Sequence, residues 1–343
     1  MQTNEFIYTE LPNGTIEINY CTHLGQFINI PCNINGKEVV GIKSKNAFKG
    51  VFEDGITVES IHLPSTLKYI GYAAFADCCN MKNVSIPDSV SSIGKYAFVN
   101  CKNMELVQLP FFLMSISKTA FWACEKLTSV SIPPGVKRIG RGAFGNCFKL
   151  ENIVLPDSLS YISDYGFFSC KSLGNIILPR SLISIGEKAF AFCENLERIN
   201  VPITLRYIGN YAFYNCIRLH DIILPSELKN IGDNAFGNCY SIDESKLPEI
   251  CQIQGQVVAV VQVLNKHGIH ARPSIIISEF AKKYHSKIYI YTKRGRADCR
   301  KPTAIIALKL SKNDYVRIQA TGVDAKKAVS NLLFLFNDRF GEE

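Results

Sequence analysis

Toward the C-terminal end of the sequence, Gly268, Ile269, His270, Ala271, Arg272, Pro273 and Ser274 place an imidazole, a guanidinium and a proline in one short run. Histidine as a residue type keeps a nucleophilic lone pair near neutral pH and carries a phosphoryl group reversibly on nitrogen. Proline suits the first turn of a helix, where its missing N–H costs nothing, so His270 falls directly before a helix start. There the backbone N–H groups of Ala271 and Arg272 lack intrahelical acceptors, and the helix dipole adds about half a positive charge. Together they form an anion site. Arg272 adds a planar donor fork for phosphoryl oxygens, and Gly268 lets the chain bend without a Cβ. The chemistry indicated is phosphoryl transfer, in which the protein supplies position and charge. A lone histidine more often caps a helix or sits in a core, so the surrounding elements must decide.

Other chemistry-bearing residues point elsewhere. Eight of the thirteen cysteines, Cys78 through Cys239, recur every 23 residues. In-register thiols could pair as disulfides, but free cysteine is also among the most buried residue types, and a ladder of buried thiols is the favoured reading. Cys78 and Cys79 are adjacent, and no second pair or histidine cluster gives the spacing of a structural zinc site, so no metal is expected. Gly140, Gly142 and Gly145 match GxGxxG, yet they lie on a repeated IGxxAF position without a βαβ context, so the match does not indicate a nucleotide. His267 and His285 are read as non-catalytic, His285 ending the first helix where a cation suits the dipole.

The elements around His270 read as a strand in QVVAVVQVLN, a helix in ARPSIIISEFAKKY, strands in KIYIYTK and RADC, a helix in PTAIIALKL, a strand in DYVRIQA and a closing helix in DAKKAVSNLLFLFNDRF. That order, βαββαβα, predicts a small α+β open-faced sandwich over residues 251–343 with helices on one face. This stretch holds 16 Lys and Arg against 7 Asp and Glu, whereas residues 1–250 hold 22 against 23.

The GIHARP run and the order of elements, over about residues 254–340, closely resemble the histidine-containing phosphocarrier protein HPr of the phosphoenolpyruvate-dependent sugar phosphotransferase system. The resemblance implies that His270 is phosphorylated by enzyme I and passes the group to enzyme IIA domains, with Arg272 assisting and no cofactor. It also implies an apolar docking patch at Ser274, Ile277, Thr303 and Ile306. The position of the regulatory serine of many relatives is Lys301, which argues against control by a serine kinase. Lys293, Arg294, Arg296, Arg300 and Lys301 form a basic surface suited to acidic protein partners. Stacking aromatics and a recognised nucleic-acid motif are missing, so no nucleic-acid partner is expected.

Upstream, an apolar-Pro dipeptide recurs with Pro64, Pro87, Pro110 and so on to Pro248, each 23 residues after the last, and Phe75 through Phe236 keep the same period. A unit this short has no core of its own, which predicts a solenoid over residues 41–250. The pattern IPxxVxxIGxxAFxxC resembles the BspA-like (Treponema pallidum type) leucine-rich repeats over about residues 40–248. Residues 1–40 read as a degenerate capping unit, and the interval from Phe48 to Phe75 is 27, an apparent insertion of four. If the column two residues before each proline faces solvent, Val154, Ile177 and Ile223 mark an apolar strip for an unknown protein ligand. The competing reading covers that column with the rest of the coil.

With 47% hydrophobic and 20% charged residues the chain is globular. The first residues lack a signal-peptide pattern and no apolar run is long enough to insert in a membrane, which points to the cytoplasm. Three functions remain open: a phosphocarrier with protein-binding repeats, a non-catalytic scaffold with a degenerate HPr-like docking domain, and a surface interaction protein, the last disfavoured by the missing signal.

Overall fold

The computed structural model describes residues 6–22, 25–44, 50–52, 57–239, 241–242, 256–322 and 324–342. Each coil of the repeat opens with a three-residue strand such as Asn83–Ser85, turns at the proline, and continues as a two-residue strand such as Ser92–Ile93. Strands this short persist because their counterparts 23 residues away pair with them in parallel. Leu106 pairs with Asn83 and Val107 with Val84 in one ladder, Ser115 with Arg138 and Ile116 with Ile139 in the other. The rest of the coil turns through two left-handed residues, for example Tyr96 (φ 62°) and Asn100 (φ 60°). Such a conformation costs a non-glycine residue about 1 kcal/mol. It is offset by hydrogen bonds to the next coil, Phe98 N donating to Ala120 O at 2.8 Å.

The phenylalanines form the core. Phe75, Phe98, Phe121, Phe144, Phe167, Phe190 and Phe213 are fully buried, and successive rings stack face to face with centroids 5.0–5.6 Å apart. The stack corrects the first register. Phe52, 23 residues before Phe75, stacks on it at 5.6 Å, so the ladder passes through Phe52 with no insertion at that step. Phe48, the residue expected there, lies outside the described residues. Beyond this end, Phe6–Glu10 pairs antiparallel with Ile16–Cys21, which joins Lys37–Ile42 in parallel.

The repeat cysteines are buried thiols. Cys101 Sγ donates to Phe75 O at 3.2 Å and Cys216 Sγ to Phe190 O at 3.1 Å, and the intervening cysteines do the same. Burial pushes the Cys147 thiol up to about 12 and raises Cys101, Cys124 and Cys170 likewise. The glycines of the GxGxxG match serve packing. A Cβ on Gly140 would stand 2.7 Å from Ile116 O, and one on Gly145 would meet the Trp122 ring at 2.2 Å. The column before the prolines faces outward, with Val154 64%, Ile177 77% and Ile223 72% exposed, which overturns the covered reading.

The C-terminal unit has its own sheet. Within it we number β1 (Gln256–Gln262), α1 (Ala271–Lys282), β2 (Lys287–Thr292), β3 (Gly295–Asp298), α2 (Pro302–Ala307), β4 (Tyr315–Thr321) and α3 (Ala325–Asn337). The strands are antiparallel in the order β1-β4-β2-β3, with Val257 opposite Ala320 and Ala320 opposite Ile288. Ile288, Ile290, Val316 and Ile318 send one face of the sheet into a core shared with Ile277 of α1, Ile305 of α2 and Leu332 of α3. The expected βαββαβα order and the open-faced sandwich are both present.

Candidate functional site

His270 is the N-cap residue of α1, in extended backbone (φ −99°, ψ −157°), and its ring makes no capping hydrogen bond. The side chain is 44% exposed, and Ala271 and Arg272 beside it are also exposed. No acidic residue occupies the first turn of α1, so no side chain of the helix itself offsets the positive end of its dipole. The first intrahelical bond is Ser274 N to His270 O at 3.1 Å, with Pro273 in the same turn. The helix therefore starts two residues before its proline, which puts the imidazole directly over the N-terminus. Gly268 fixes the approach: it adopts φ 71°, and a Cβ there would stand 2.0 Å from Leu310 O. That carbonyl accepts the Ile269 N–H at 2.9 Å, tying the loop to the segment after α2.

A second group reaches the histidine from far along the chain. Arg339, Phe340 and Gly341 are consecutively left-handed (φ 54°, 55° and 69°), with Phe340 buried against Phe336 at 4.9 Å between centroids. The turn sets Glu342 Oε1 3.5 Å from His270 Nε2, an electrostatic contact longer than a good hydrogen bond. Asn265 Nδ2 donates to Glu342 Oε2 at 2.9 Å and to Arg339 O at 2.8 Å, holding the carboxylate in place. Glu342 and Asn265 carry no motif signal, because only the fold of the tail brings them to His270.

The expected docking patch is partly corrected. Ser274 and Ile277 are fully buried, because with the helix starting at Ala271 the face Pro273, Ser274, Ile277, Ser278, Ala281 turns inward at three- and four-residue steps. The large apolar residue that α1 exposes is Ile275 (52%), and α2, which packs against α1, exposes Thr303 and Ile306 (41%). Lys301 is the exposed N-cap of α2 and makes no side-chain cap. Two members of the basic surface have structural work. Arg300 donates to Tyr284 O at 2.9 Å just past the end of α1, and Arg294 donates to the Leu308 and Lys309 carbonyls at the end of α2, so both satisfy helix C-termini. Helix α1 ends at Lys282, before His285, whose backbone N–H donates to Asp324 Oδ2 at 2.8 Å. Among the described residues no cluster of three His, Cys, Asp or Glu could hold a metal, and no helix is long and apolar enough to cross a membrane.

Comparison with known proteins agrees with both halves. A BspA type leucine rich repeat region, in six copies, matches residues 45–173 and 137–259, and the PTS HPr component phosphorylation site matches residues 257–338. The phosphocarrier protein HPr of Treponema pallidum (strain Nichols) is 31% identical over 87 residues, 25% of this chain and 99% of that protein. The phosphocarrier protein NPr of Escherichia coli (strain K12) is 27% identical over 88 residues, 25% of this chain and 98% of that protein. Among solved structures, the T. pallidum leucine rich repeat protein has a TM-score of 0.49 and 27% identity, covering 64% of this chain and 90% of that one. The chain belongs to the BspA-type leucine-rich repeat family and carries at its C-terminal end a module of the HPr phosphocarrier family.

Proposed function

We propose that this chain is a histidine phosphocarrier of the phosphoenolpyruvate-dependent phosphotransferase type, working in the cytoplasm. His270 accepts a phosphoryl group from an enzyme I-type donor and hands it to an enzyme IIA-type acceptor, and the repeats bind a further protein. The observation that carries this reading is the exposed imidazole at the uncapped start of α1, whose own first turn holds no acidic residue. Glu342 beside Nε2 favours the tautomer with the proton on that nitrogen, which leaves the lone pair on Nδ1 for attack. As the new N–P bond forms, the donor's bond to phosphorus breaks, and the peripheral oxygens keep their charge throughout. That charge falls on the Ala271 and Arg272 N–H groups and the Arg272 guanidinium, which cost no reorganisation because the helix already aims them. Ile275, Thr303 and Ile306 supply apolar contact for a docking partner, and the exposed Lys293, Arg296 and Lys301 of the same module supply positive charge for an acidic one.

The competing reading is a scaffold whose module only docks. The presence of both His270 and Arg272, each exposed at the start of α1, favours the carrier. Intact mass after incubation with enzyme I, phosphoenolpyruvate and magnesium decides between them. One acid-labile phosphoryl group, absent in His270→Ala, is the expected result, and no gain under conditions that modify an ordinary HPr supports the scaffold.

A further inference from the structure

One column of the repeat, immediately after the coil's Gly or Ser, changes sign halfway along. It carries Lys95, Lys118 and Arg141 in three successive coils, then Asp164, Glu187, Asn210 and Asp233 in the next four. Parallel pairing keeps the coils in register, so these residues form one file on the surface. The intrachain contacts across the change are loose: Arg141 to Asp164 is 3.9 Å, with both side chains about half exposed. Residues 1–250 hold 22 basic and 23 acidic residues, so the segregation is local and does not suit a polyanion.

The adjoining column alternates in size about the same point. It reads Tyr96, Thr119, Gly142, Tyr165, Lys188, Tyr211. A cavity of about 310 Å³ opens where Thr119 and Gly142 leave room, walled by Tyr96, Trp122 and Tyr165. The hydroxyl of Thr119 there is buried and has no hydrogen-bond partner among the described residues.

We propose that this face binds a second copy of the chain, antiparallel, about a two-fold axis passing between the coils of Arg141 and Asp164. Any such axis pairs a residue with the one equally far on the other side, because a two-fold interface is self-complementary. Arg141 then meets Asp164 of the second copy, and Lys118 meets Glu187. In the adjoining column Tyr165 enters the space over Gly142, and Lys188, which in its own chain contacts Tyr165 Oη at 3.3 Å, lies opposite the smaller Thr119. A large residue faces a small one at both places, and opposite charges face each other in both ionic pairs. An axis through the coil of Arg141 would also pair Lys118 with Asp164 and Lys95 with Glu187, but it sets Arg141 against its own copy, whereas the axis between the coils leaves no like charges opposed. A contact spanning six coils, five steps of about 4.8 Å or about 24 Å of the ladder, is small, so a dissociation constant on the order of micromolar is expected.

Sedimentation velocity on the full chain through the micromolar range tests this. The wild type should pass from monomer to dimer, and the dimer should weaken with added salt. Lys118→Glu and Glu187→Lys should each weaken it about tenfold or more, since each places like charges opposite one another twice per dimer. An equimolar mixture of the two variants should restore dimer, because the hybrid regains both pairs, and so should the chain carrying both changes. Far-ultraviolet circular dichroism and melting temperature, the same in every variant, confirm that the coils stay folded. A wild type that remains monomeric, a dimer indifferent to salt, or variants that fail to restore each other overturns the proposal whatever the remaining results.

Discussion

In the repeat array the same contact recurs coil after coil, while in the carrier module no two core contacts are alike. A phenylalanine in the array rests on its counterparts in the coils before and after, at 5.0–5.6 Å. Stability there is a sum of nearest-neighbour terms. In the module Ile277, Ile305 and Leu332 come from three helices and meet on one sheet, so each contact is used once and the unit stands or falls together. The array thereby provides length and surface, and the module provides a single fixed point, His270.

The sharpest way to break this contrast is to cut a cavity in each half. Phe144→Ala removes a ring stacked on both sides and should cost about 3–5 kcal/mol in a denaturant melt followed by Trp122 emission. Phosphoryl uptake at His270 should survive it. Ile277→Ala should cost about 2–5 kcal/mol but only in the module, lowering phosphoryl uptake and leaving the Trp122 transition in place. If either change disturbed both readouts equally, the two halves would be one cooperative unit.

Opposite pH limits sharpen the contrast further. In the array Cys147 is pushed up to about 12 by burial. An unfolded thiol ionises near 8.5, so this contribution is complete below that pH and is lost as pH rises toward 12. In the module, a hydrogen bond from the Ser286 hydroxyl, with backbone N–H bonds from His285 and Ser286, lowers the Asp324 carboxyl to about 2. An unfolded aspartate titrates near 3.9, so this contribution is complete above that value and is lost as pH falls toward 2. Alkali should therefore reach Trp122 first. Acid should first open the His285 and Ser286 amides to hydrogen exchange, and Asp324→Asn should flatten that acid response.

The smallest expected effect is at Glu342. Its contact with His270 is long, and the imidazole is exposed to water, so Glu342→Gln should slow phosphoryl transfer only about two- to fivefold, by weakening the tautomer preference. Single-turnover transfer from phosphorylated enzyme I measures it. A loss as large as that of His270→Ala would make Glu342 part of the transfer chemistry and overturn its positioning role.

Period and motif made most of this legible before any coordinates. The 23-residue spacing sufficed for the coils, and GIHARP for the histidine at a helix start. What escaped was phase and long-range closure. Phe48 follows Asn-Ala as all the repeat phenylalanines but Phe167 follow Ala, so it drew the register away from Phe52, whose role depends on a ring 23 residues later. The start of α1 at Ala271 turns Ile277 inward and Ile275 outward, a difference that proline alone does not specify. Glu342 reaches His270 only through three left-handed residues in a tail with no recognisable motif. The glycines at 142 and 145 match a nucleotide motif by spacing, while their use, a seat for Trp122, is set by a neighbouring coil.

The phenylalanine stack has a consequence for how such an array changes length. Each ring is matched to one at a fixed interval on either side, and each thiol to a carbonyl one coil back. Deleting or inserting one residue inside a coil would misalign the ring, the thiol and both strands of that coil against two neighbours at once. Removing or adding a whole 23-residue coil leaves every surviving match intact. The array is thus quantised: it can be lengthened or shortened in steps of one coil while every intermediate length between them is penalised, and its surface columns gain or lose one residue each at every step.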